Sequence, residues 1–144
     1  MPDPIAALRE AARVLRPGGR LAAFEPDWLS LAIAGASPDV TSRMLAARSR
    51  SFASPDVGAR LPHILSEAGF TDVRASAFSL TTKSLDVALW ALRLEAYAEA
   101  AVAGGTASSG EARAWFRALA AADQTGILGA SVNGHLASGT KPAR

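Results

Sequence analysis

The run Leu15-Arg16-Pro17-Gly18-Gly19-Arg20-Leu21-Ala22-Ala23-Phe24 takes the chain from a helix into a strand within a few residues. The two glycines allow a sharp exit from the helix where a Cβ would be crowded. Upstream, Asp3-Pro4 supplies an N-cap and a proline at the first helical position, and Ile5, Leu8, Ala11, Ala12 and Leu15 follow at helical spacing. Downstream, Arg20 to Phe24 is short, mostly apolar and bounded by the glycines and Pro26, the pattern of a strand buried on both faces. Helix, tight turn and buried strand in that order open an α/β protein.

The rest of the chain continues the alternation. Residues 38–52 carry Val40, Met44, Leu45, Ala47 and Phe52 in a looser helical pattern, closed by the turn Ser54-Pro55-Asp56. From Gly58, the residues Leu61, Ile64, Leu65 and Ala68 predict a helix, with Gly69 where a left-handed cap belongs. Phe70 to Leu80 reads as a strand in which Phe78 and Leu80 shift the alternation set by Val73, Ala75 and Ala77, as a bulge or a two-faced strand does. Ser84 begins a longer helix with Leu85, Leu89, Leu92 and Ala96 on one face and Trp90, Leu94, Tyr97 and Ala101 on another, which predicts cover on both sides. Ser108 with Glu111 makes a capping box ahead of the stripe Ala112, Trp115, Phe116, Leu119 and Ala122. Ile127 to Leu136 is read as the last strand.

Composition narrows the function classes. A length of 144 residues suits one domain, and 49% hydrophobic against 19% charged residues is the balance of a soluble globular protein. No apolar run approaches the roughly 20 residues that span a bilayer, so no membrane partner is expected. Asp3, Arg9, Glu10 and Arg13 make the N-terminus unlike a signal peptide, which predicts a cytoplasmic protein. The lack of cysteine excludes disulfides, thiolate metal sites and a cysteine nucleophile. A net charge of +2 without any basic cluster argues against a nucleic-acid partner. His63 and His135 lie far apart without metal-ligand spacing, so no metal is expected. His63 has no carboxylate at a spacing suited to general-base work and reads as inert.

Leu15-Arg16-Pro17-Gly18-Gly19-Arg20-Leu21, a strand, and Glu25-Pro26-Asp27-Trp28 resemble the approach to the fifth strand in class I S-adenosylmethionine-dependent methyltransferases of the type 11 group, the ubiquinone/menaquinone-biosynthesis-methyltransferase-like enzymes. Gly58-Ala59-Arg60-Leu61-Pro62, Glu67-Ala68-Gly69-Phe70 and Gly139-Thr140-Lys141-Pro142 resemble later parts of that family in the same order. The resemblance implies the C-terminal half of a Rossmann-like methyltransferase sheet. Its strands would correspond to the fifth, sixth and seventh, with flanking helices, a two-helix insertion at about 84–124, and the last strand antiparallel between the other two. It also implies S-adenosylmethionine as cofactor and a small-molecule methyl acceptor. The chain departs from the family in lacking a Gly-x-Gly turn between an apolar strand and a helix, and an acidic residue to hold the ribose. The cofactor-binding residues are therefore expected in a preceding half, with Met1 marking either a start placed inside a longer reading frame or a natural fragment. The rival reading is a non-catalytic remnant or interaction domain. A third takes the helices after Ser84 as a DNA- or partner-binding unit.

Ligands of open α/β sheets bind beyond the carboxyl ends of the strands, which points to Glu25, Asp27 and Trp28 as substrate-side residues. Arg60, opening the next helix, is the candidate for an acidic substrate group, and Trp28 and Arg60 are expected to line one cleft. The bland alternatives are a carboxylate bonded to loop amides, a packed indole and a solvated arginine. Methyl transfer from a sulfonium depends on in-line placement more than on acid or base help, so no catalytic residue is assigned. Without a fourth strand beside it, the strand at 20–25 is expected to drive self-association.

Overall fold

The computed structural model describes residues 3–49 and 52–143, and among them are six helices and three strands. In chain order they are α1 (Pro4–Val14), β1 (Arg20–Ala34), α2 (Pro38–Ser49), α3 (Val57–Glu67), β2 (Thr71–Thr82), α4 (Leu85–Leu92), α5 (Leu94–Ala103), α6 (Ser109–Gln124) and β3 (Gly129–Thr140). The fold is α/β. Its sheet is antiparallel with the order β1-β3-β2, so the last strand lies between the first two and no neighbours in it run parallel. The helix expected over 38–52 ends at Ser49, and residues 50 and 51 lie outside the described ones.

Contacts divide the chain into two compact units. One comprises residues 1–29, 53–79 and 133–144, and the other residues 30–52 and 80–132. The first is built on α1 and α3. Asp3 accepts the Ala6 N–H at 2.9 Å and Pro4 opens α1, as the sequence predicts. The α1 side chains Leu8, Ala12 and Leu15 pack on a core of Leu61, Leu65, Ala68, Phe70 and Ala137. The turn after α1 is fixed by the far end of the chain. Gly18 N–H donates to the Lys141 carbonyl at 3.0 Å, Lys141 N–H returns a bond to Gly19 at 2.8 Å, and the Lys141 ammonium donates to the Leu15 carbonyl at 2.7 Å. Two motifs read separately in the sequence thus form one lock, in which a cation satisfies an orphan carbonyl at a helix C-terminus.

The second unit packs helices around Tyr97, Met44, Leu94, Trp115 and Leu119, all fully buried. The capping box forms as read: Ser108 Oγ accepts from Glu111 N–H, and Ser108 N–H donates to Glu111 at 2.8 Å. Arg43 ties α2 to it, donating to Asp39, to the Thr106 carbonyl and to Glu111 at 2.7 Å.

Three expectations change. β1 does not stop at Phe24 but runs to Ala34, because Pro26 removes one donor without ending the extended backbone. The long helix from Ser84 is two helices, broken at Arg93, whose φ of +54° lies in the left-handed region. Three helices, not two, therefore lie between β2 and β3. The two-sided cover expected for that segment also fails at Trp90, which is 82% exposed.

Candidate functional site

Glu25, Asp27 and Trp28 lie inside β1 and not beyond its end, and all three are half-buried. The loop before α3 lies against the strand there. Trp28 N–H leaves the ladder and donates to the Pro55 carbonyl at 3.2 Å. A Cβ on Gly58, in the first turn of α3, would stand 2.8 Å from the Glu25 carbonyl and 3.2 Å from His135. A side chain at position 58 would therefore push the helix off the strand. The backbone that carries Glu25 and Trp28 is in this way set beside the start of the helix that carries Arg60.

The side chains themselves have structural partners. Asp27 accepts the Leu29 N–H at 3.1 Å, a bond within its own strand. Arg60, half exposed, sits 3.8 Å from Asp56, one turn back on the surface. His63 is paired with Glu67 at 3.4 Å, a carboxylate at helical spacing that the sequence reading passed over. Both groups face solvent, where such pairs contribute little.

A cavity of about 160 Å³ lies beside this region, lined by Gly58, Pro62, residues 75–77 and residues 135–137. Neither Trp28 nor Arg60 reaches it. His135 does, from within β3. The strand expected over Ile127 to Leu136 already contains it, and alternation along β3 is the signal that finds it.

The second unit holds a roomier cavity of about 610 Å³, bounded by residues 32–34, 81–83 and 129–131. In the same unit, Arg48 stands over two aromatic rings. The Arg48 guanidinium lies 5.2 Å from the Phe52 ring centroid and 5.4 Å from that of Tyr97. The Tyr97 hydroxyl is buried without a hydrogen-bond partner among the described residues. Burial pushes its pKa up, and the Arg48 charge opposes this. Among the described residues no group of three or more His, Asp or Glu is placed to hold a metal. None of their helices is long and apolar enough to cross a membrane.

No protein-family model matches the chain. It is similar to an uncharacterized 37.1 kDa protein in transposon Tn4556 of Streptomyces fradiae, 34% identical over 122 residues. The likeness covers 83% of this chain and 35% of that protein, so the chain spans about a third of its relative's length.

Proposed function

We infer that this chain is the C-terminal portion of a class I S-adenosylmethionine-dependent methyltransferase acting on a small molecule, as a partial Rossmann-like sheet. One observation carries the reading: the order β1-β3-β2, with an antiparallel last strand between two that run the same way. The order is not that of a Rossmann fold by itself, and it supports the reading only as the one the resemblance gives for the fifth, seventh and sixth strands of the family's sheet. The lock between Gly18-Gly19 and Lys141 supports it, since both motifs of the resemblance meet in one turn.

The described residues do not fit the cofactor. The one glycine that leads from a strand into a helix is Gly35, after β1, and its bareness serves packing: a Cβ there would stand 2.7 Å from Ala122 Cβ in α6. No pyrophosphate-type cradle follows from that contact. The cofactor site is therefore assigned to a part of the protein other than these residues, and no chemical step is derived from them. Glu25, Asp27, Trp28 and Arg60 stay as the substrate-side candidates of the resemblance, with the Asp27 carboxylate accepting the Leu29 N–H and Arg60 lying 3.8 Å from Asp56.

The test is a transfer assay on the product of the longest open reading frame that contains these codons in frame. With S-adenosylmethionine labelled in its methyl group and a small-molecule extract of the host, the reading expects label in a low-molecular-weight product. A purified, folded product that transfers no label to that extract would favour the non-catalytic interaction domain.

A further inference from the structure

β1 and β2 both run antiparallel to β3 and hence in the same direction, so their carboxyl ends, Ala32–Ala34 and Thr81–Thr82, arrive together with the start of β3. The cavity of about 610 Å³ opens there. It is within the range of small-molecule sites, and the carboxyl ends of like-directed strands are where open α/β sheets bind ligands. This location was assigned in the sequence to Glu25, Asp27 and Trp28. The length of β1 moves it some eight residues on, to Ala32–Ala34.

The lining has a consistent chemistry. Ala32, Ala34, Gly129 and Ala130 give it a floor of short apolar groups. A Cβ built on Gly129 meets no atom within 4 Å, so that wall faces open space. Lys83 is the one charged residue of the lining. Among the described residues its ammonium has no ion pair or hydrogen bond, and neither do the hydroxyls of Thr81 and Ser131, whereas the Thr82 hydroxyl is held by the Ser84 N–H at 3.0 Å. One cation and two free hydroxyls around an apolar floor are suited to a ligand with a flat or compact apolar body and a single anionic group.

We propose that this cavity binds a small apolar carboxylic acid, its carboxylate on Lys83 with Thr81 and Ser131 as supporting donors and its body over Ala32, Ala34 and Gly129. The inference does not depend on methyl transfer, since no residue in it comes from the resemblance.

The experiment is an amide-resolved NMR titration of the 144-residue chain with 2-naphthoate and, separately, with the neutral 2-naphthamide. Saturable shifts at residues 32–34, 81–83 and 129–131 are expected with the acid, and binding about tenfold weaker with the amide, the usual worth of a charge-assisted hydrogen bond. Lys83→Gln should weaken the acid by a similar factor and leave the amide unchanged. Gly129→Leu, whose Cβ would meet no atom within 4 Å, places a side chain in the cavity and should abolish both. Shifts scattered outside those residues, no saturation at millimolar acid, or equal binding of acid and amide to the wild-type chain would overturn the proposal, and the acid–amide comparison needs no variant to fold.

Discussion

The rings of Phe24 in β1 and Phe78 in β2 stack across the bare Cα of Gly134, with centroids 5.9 Å apart and planes inclined by 20°. Gly134 belongs to the strand between them, and a Cβ there would stand 2.7 Å from the Phe24 ring and 3.2 Å from that of Phe78. The missing side chain is what lets two aromatic residues on non-adjacent strands touch. Such a pair is worth roughly 0.5–1.5 kcal/mol beyond its buried area.

Gly134→Ala should part the rings at modest cost, because both are more than two-fifths exposed and free to turn outward. A loss of about 1 kcal/mol, or roughly 3 °C in Tm, is expected. Gly35→Ala should cost more, about 2–3 kcal/mol, since its φ of +117° disfavours a side chain and the obstructing atom is a Cβ of α6. Equal thermal shifts for the two variants would contradict this account of the glycines.

In the second unit, Trp115 Nε1–H donates to the Thr41 hydroxyl at 2.9 Å within the core. Thr41→Val strands that donor and should cost about 1–3 kcal/mol, while Thr41→Ser keeps it. Tyr97→Phe removes a hydroxyl that has no partner among the described residues and should leave stability unchanged or raised. Denaturant unfolding of the three variants separates these outcomes, and a stable Thr41→Val protein would refute the role given to the bond.

Glu111 should give stability an acid-sensitive component. Its carboxyl is lowered from an ordinary 4.5 to about 2 by the Ser108 backbone N–H, by the Arg43 guanidinium and by the Ser108 hydroxyl. A depressed folded-state value means that the contribution is complete above about 4.5 and is lost as pH falls toward 2. Glu111→Gln should lower the Tm above about pH 4.5, where the wild-type contribution is complete, and converge with the wild type as pH falls toward 2, so that the variant's profile is flatter between those limits. A variant profile parallel to the wild type through that window would remove Glu111 from the account.

Self-association is expected through the edge at residues 20–25. β1 ends the sheet on one side, and the Trp28–Pro55 bond covers it only further along. Phe24 and Leu29 are 46% and 60% exposed, and the guards of the edge, Arg20, Glu25 and Pro26, leave Leu21 to Phe24 between them without a charge or proline. Sedimentation at about 100 μM should show dimers or larger species, a concentration that reveals pairing near −5.5 kcal/mol. Ala22→Lys should reduce them. A monomer at that concentration would show that the edge is covered.

The sequence disclosed the parts of the fold that rest on local chemistry. The Asp3 cap and the Ser108–Glu111 box each depend on a few adjacent residues, and each forms; the Gly18-Gly19 turn is marked locally by its glycines, while its bonds to Lys141 come from the far end of the chain. Strand ends were less legible, because β1 is extended past Pro26 by its pairing with a strand a hundred residues away in sequence; Gly35 and Ser37-Pro38 mark the end at Ala34, but Pro26 is the earlier stop signal. The break at Arg93 was hidden for a related reason: arginine is a good helix former, and its left-handed backbone answers to packing on both sides of it. The candidate site inherited the error in β1. A strand ending at Phe24 points to Glu25 and Trp28, while Lys83, a single cation after the two threonines that close β2, carries no motif.

If the chain is the C-terminal portion of a methyltransferase whose cofactor site lies outside these residues, as proposed, calorimetric titration of S-adenosylmethionine should distinguish the 144-residue chain from the product of the longest open reading frame that contains its codons in frame. No saturable heat is expected from the chain, and a dissociation constant in the micromolar range, near −8 kcal/mol, from that product. Low-micromolar binding by the 144-residue chain, or none by the folded product of that reading frame, would contradict the proposal.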